Sequence, residues 1–81
     1  MAFNIHIEYC RHWNYTQMAA RLAAEILSMG EKRIESVSLI PSEIMGSFEI
    51  RKDNQIIFSK QQCGRLPNPG EVEQLLASHL T

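Results

Sequence analysis

The chain has 81 residues, 44% hydrophobic and 21% charged, with a net charge of −1 and two cysteines. A domain of this size buries only about 60% of its unfolded surface, which puts its stability at roughly 4–12 kcal/mol. The near-neutral charge argues against general attraction to nucleic acid or to an anionic membrane. In chain order, Phe3-Asn4-Ile5-His6-Ile7-Glu8-Tyr9 alternates apolar and polar residues and predicts a strand. Tyr15, Met18, Ala19, Leu22, Ala23, Ile26 and Leu27 then fall at helical spacing, predicting a helix over 14–29. Asn14 and Gln17 suggest a variant capping box at its start, and Gly30 a left-handed residue after its end. Ile34 to Ile40 reads as a second strand, stopped by Pro41. Phe48-Glu49-Ile50 and Gln55-Ile56-Ile57-Phe58 predict two more, joined by a turn at Asp53-Asn54. Residues 60–70 read as a loop, and a last helix is expected over 71–79, with Val72, Leu75 and Leu76 inward.

The order β-α-β-β-β-α describes a single α/β domain over residues 1–81, with a mixed four-stranded sheet and helices packed on it. The first β-α-β should be a parallel crossover, and the last two strands an antiparallel hairpin. This is the order a minimal thioredoxin-like fold requires. No apolar run approaches the ~20 residues that span a bilayer. No signal peptide is visible at the N-terminus. Two cysteines are too few for the disulfide framework of a small secreted domain. The expectation is therefore a cytoplasmic protein with two reduced thiols, no membrane association and no nucleic-acid partner. Lys32-Arg33 reads as a cation pair at a helix end.

Cys10 directly follows the first strand and precedes the first helix. Ligands of open α/β sheets collect beyond the carboxyl ends of parallel strands, and a helix N-terminus stabilises a thiolate. Arg11 and His12 would add positive potential there. An ordinary half-buried thiol at a strand end is the alternative. Metal binding is not expected. His6 and Cys10 would lie about 13 Å apart on a strand, and only Cys63 or His79 remains as a fourth ligand.

The segment Ile7-Glu8-Tyr9-Cys10, followed by a helix rich in Ala and Leu, resembles the selenoprotein W-like (Rdx) family. Gly46-Ser47-Phe48-Glu49-Ile50 is similar to that family's G-x-F-E-V segment. Ile56-Ile57-Phe58-Ser59-Lys60 resembles its second hairpin strand, and Gly64-Arg65-Leu66-Pro67 its approach to the last helix. The resemblance implies a thioredoxin-like fold and thiol redox chemistry, with Cys10 as nucleophile and glutathione as co-substrate, and with no bound cofactor. The family motif is C-x-x-C or C-x-x-selenocysteine, whereas this chain reads Cys10-Arg11-His12-Trp13. Trp13 cannot resolve a mixed disulfide, so a two-thiol cycle within the motif is excluded.

Two routes remain. The fourth strand should return to the Cys10 end of the sheet, which would place Cys63 as a displaced resolving thiol or leave it a loop thiol without a partner. Alternatively, a second glutathione resolves a mixed disulfide on Cys10. Trp13 is then either an exposed docking aromatic or a residue packed across the helix start. The fold implied by the resemblance also makes the segment Pro41-Ser42-Glu43-Ile44-Met45-Gly46-Ser47 face Cys10. Ile44 and Met45, with Trp13 and Leu66, would form a docking patch for a small thiol or a protein thiol, or else cap the core. The competing reading of the whole chain is a non-enzymatic protein-binding module that keeps the fold without redox activity.

Overall fold

The computed structural model describes residues 2–80. Its elements are β1 (Phe3–Cys10), α1 (Thr16–Leu27), β2 (Ile34–Ser42), β3 (Phe48–Lys52), β4 (Gln55–Ser59), α2 (Lys60–Cys63) and α3 (Glu71–Leu80). They build one mixed sheet in the order β2-β1-β3-β4. β1 is parallel to β2 and antiparallel to β3, and β3 and β4 form the antiparallel hairpin. The α/β architecture is the one the sequence predicts.

The alternation in β1 decides which face is covered. Phe3, Ile5, Ile7 and Tyr9 are buried with Phe48 and Ile50 of β3 and Phe58 of β4. α1 supplies Ala19, Leu22, Ala23 and Ile26 to the same core, and α3 supplies Val72 and Leu76. Each fully buried aliphatic side chain stabilises the fold by about 1.5–3 kcal/mol. The other face carries Asn4, Glu8 and Arg51, tied by hydrogen bonds from Ser36 to Asn4 (2.7 Å) and from Arg51 to Glu8 (3.2 Å).

Local chemistry corrects four details. Asn14 does not cap α1: its φ is +60°, and Tyr15 holds the cap position without a side-chain bond. β2 runs through Pro41, which pairs with Tyr9, to Ser42; an edge strand tolerates proline. The segment after β4 is not all loop. Ser59 Oγ accepts the Gln62 N–H at 3.2 Å and starts the four-residue α2. Arg33 lies beyond α1 and pairs instead with Glu31, at 2.9 Å.

Two expectations hold locally. Gly30 has φ +72° just after α1, and Asp53-Asn54 turns the hairpin. The Asp53 side chain accepts the Asn4 N–H at 3.0 Å and its own N–H donates to Asn4 O at 2.8 Å, so the hairpin tip is pinned to the start of β1. No helix among the described residues is long and apolar enough to cross a membrane.

Candidate functional site

Cys10 closes β1 opposite Ser42 of β2. Its backbone N–H donates to Ser47 O at 2.8 Å, and Arg11 N–H reaches Ser42 O at 3.5 Å. The Cys10 side chain is fully buried, with 0% exposure. Cys63 is exposed, and both cysteines are free.

Two segments enclose the sulfur: the turn over residues 11–14 and the loop over 43–47. Burial is the largest single influence on the Cys10 thiol and raises its pKa. The backbone N–H groups of Gly46, Trp13, His12 and Ser47 act against it and together hold the thiol below its ordinary value. Hydrogen bonds donated to the charged form have that effect. The stabilising donors therefore come from the turn and the loop, where the sequence reading looks to the helix N-terminus.

The charged side chains of the turn do something else. Glu43 Oε2 lies 3.1 Å from His12 Nε2 and 3.6 Å from Arg11 Nε. Both side chains clip the turn to the loop, and it is the His12 N–H that acts on the sulfur.

Trp13 is half exposed and forms the start of an aromatic ladder. Its ring stands edge-on to Tyr15 at 6.2 Å, and Tyr15 stands edge-on to buried Phe48 at 6.0 Å. The same ring covers Gly46, where a Cβ would lie 2.9 Å from Trp13 Cζ3. Gly46 also has φ +75°, a conformation that favours glycine. Lys60 lies across the ring with Nζ 5.2 Å from its centroid.

Ile44 and Met45 are strongly exposed, at 59% and 64%. They border a cleft with Gly46, Ser47, Lys60 and Gln61. Leu66 instead packs, partly buried, against the core.

β4 returns to the Cys10 end of the sheet: Glu8 pairs with Glu49, and Glu49 with Ser59. Cys63 follows in α2, and its Sγ donates to Arg65 O at 3.4 Å. Ser47 and Lys60 join the site without having been singled out by the sequence reading. Their signal there was only position, Ser47 beside Gly46 and Lys60 just after the last strand. Among the described residues, no group of three or more His, Cys, Asp or Glu side chains could hold a metal ion.

The geometry has counterparts among known proteins. A model of the Rdx family matches residues 4–78. Among solved structures, one from Bordetella parapertussis is 25% identical, covers 98% of this chain and 99% of its own, and superposes with a TM-score of 0.89. A selenoprotein W-related protein from Vibrio cholerae is 30% identical over the full length of both chains, with a TM-score of 0.90. No curated protein matches the chain.

Proposed function

The chain belongs to the Rdx family and has its thioredoxin-like fold, and from that premise we propose that it is a thiol-redox protein whose nucleophile is Cys10 and whose small thiol is glutathione. The observation that carries this reading is the set of four backbone N–H groups, from His12, Trp13, Gly46 and Ser47, that favour the Cys10 thiolate. The thiolate is the species that attacks a disulfide.

In the first step, the Cys10 thiolate attacks the glutathione sulfur of a glutathionylated thiol. An S–S bond forms between Cys10 and glutathione as the original S–S bond breaks. The released thiol leaves as a thiolate and takes a proton from water. A second glutathione, as its thiolate, then attacks the glutathionyl sulfur. Oxidised glutathione departs and the Cys10 thiolate is restored. Trp13 has no thiol for this second step. Cys63, exposed after β4, is a second candidate to resolve the same adduct. His12, Trp13 and Gly46 reach the sulfur through their backbone N–H groups, and with Arg11, Ile44 and Met45 from the same turn and loop they form the surface a thiol partner meets in this proposal.

A second reading is favoured by one observation: Cys10 is fully buried while Trp13 stands where the family's second redox residue belongs. On that reading the domain binds a protein partner without redox turnover.

Incubation with oxidised glutathione followed by peptide mapping separates the two. The redox reading expects one glutathionyl group on Cys10, removed by added glutathione. Its loss should slow in Cys63→Ser if Cys63 resolves, and stay unchanged if glutathione does. Modification confined to Cys63, or none, would overturn the redox reading in favour of the binding module.

A further inference from the structure

The exchange step above uses Cys10 and leaves one buried group beside it without a task. Ser47 is only 8% exposed, and its Oγ is buried with no hydrogen-bond partner among the described residues. Buried hydroxyls are normally satisfied, and one left open costs folding free energy. Ser47 is also joined to Cys10 through the main chain, its carbonyl accepting the Cys10 N–H at 2.8 Å.

Two clefts meet at Ser47, and their charges differ. The larger, about 180 Å³, is bordered by Glu8, Glu49 and Arg51 among others. Its charges are answered internally. Arg51 pairs with Glu8 at 3.2 Å, and Glu49 accepts from Ser59 Oγ and from the Gln61 N–H. The smaller, about 120 Å³, is bordered by Ile44, Met45, Gly46, Ser47, Lys60 and Gln61. Lys60 is its sole ionised side chain. Among the described residues it makes no ion pair and rests on the Trp13 ring, with Nζ 5.2 Å from the centroid. That contact is weak at a partly exposed site and leaves the ammonium free to turn to an anion.

We infer that the smaller cleft is a carboxylate subsite beside Cys10, in which Lys60 Nζ and Ser47 Oγ both donate to the terminal carboxylate of an anionic thiol or disulfide. The inference rests on the thiol-exchange reading and names the substrate class for it. The cleft has room for several waters. That is room for a carboxylate and the group next to it, the rest of the ligand reaching the sulfur as the Trp13 ring lifts from Gly46. Hydrogen bonds to an ionised acceptor are the stronger kind. The occupant also draws Lys60 off the face of Trp13, the ring that covers Gly46.

The test compares oxidised glutathione with its tetraester, which lacks all four carboxylate charges and keeps the two ammonium groups, following the adduct at Cys10 by peptide mapping. The wild type should react about tenfold faster with the disulfide that carries free carboxylates, the scale of one charge-assisted hydrogen bond. The ratio of the two rates should fall toward one in Lys60→Gln, recover in part in Lys60→Arg, and drop severalfold in Ser47→Ala. Ser47→Ala should unfold at no lower denaturant concentration than the wild type, since it deletes a hydroxyl with no partner. Equal wild-type rates, or a ratio untouched by Lys60→Gln, would overturn the subsite while leaving Cys10 exchange standing. Absence of any Cys10 adduct with either disulfide would overturn both.

Discussion

Trp13 lies in the turn beside Cys10, and its indole does the work of a cover. The ring lies against Gly46, and Gly46 donates one of the four N–H bonds that favour the Cys10 thiolate. Glycine is required there twice over, by a φ of +75° and by the 2.9 Å approach to Trp13 Cζ3. The two requirements separate experimentally. Gly46→Ala should destabilise the fold by about 1–2 kcal/mol from the left-handed backbone alone, plus the displacement of the ring. In a Trp13→Ala background only the backbone part remains. Urea unfolding of the four proteins should therefore give a coupling of about 0.5–3 kcal/mol. Trp13→Ala by itself should speed alkylation of Cys10 by iodoacetamide several-fold, because the thiol loses part of what buries it. A coupling near zero would mean that the ring does not press on Gly46.

At the scale of elements, the approach to α3 shows how a short loop is held. Arg65 makes two bonds to Glu71, at 2.7 and 2.8 Å, and Glu71 also accepts the Asn68 N–H at 2.9 Å. The Arg65 guanidinium, with the Asn68 N–H, holds the Glu71 carboxyl at about 2, against an ordinary value of 4.5. Glu31 is held at about 2 in the same way by Arg33. Between those values the folded chain binds fewer protons than the unfolded one. The stabilisation is therefore complete above about pH 4.5 and is lost as the pH falls through about 2. Glu71→Gln should be less stable than the wild type at pH 7, with the gap closing toward pH 2 and shrinking in high salt. Denaturant midpoints across that range check it.

The elements themselves were legible because their periods were clean: alternation from Phe3 to Tyr9, and helical spacing from Tyr15 to Leu27. α2 was not, since Lys60-Gln61-Gln62-Cys63 has no apolar face and depends on the Ser59 cap. The position of Cys10 at a strand end was legible for the same reason as the strand. That the segment over 41–47 faces Cys10 followed from the resemblance, but the donation from the Gly46 and Ser47 N–H groups to the sulfur did not, because backbone hydrogen bonds leave no mark on the side-chain pattern.

For the whole molecule, one layer of helices on one face of the sheet means one core with little redundancy. Leu76 is fully buried and, with Val72, anchors α3 to it. Leu76→Ala should cost about 2–5 kcal/mol, a large share of a total of roughly 4–12 kcal/mol. Urea unfolding should show a sharply lowered midpoint, and a loss under 1 kcal/mol would mean that α3 is not integral to the core. The central position of β1 has a further consequence, one of timing. Held by hydrogen bonds to β2 on one side and β3 on the other, β1 belongs to the part of the fold that opens only when the whole domain does, while a turn and a loop open far more often. The sulfur at its end is therefore the stationary partner in any encounter. How often it is presented to solvent is a rate set by the fluctuations of some ten residues around it, and that rate can change from one sequence to the next while the lifetime of the folded domain stays the same.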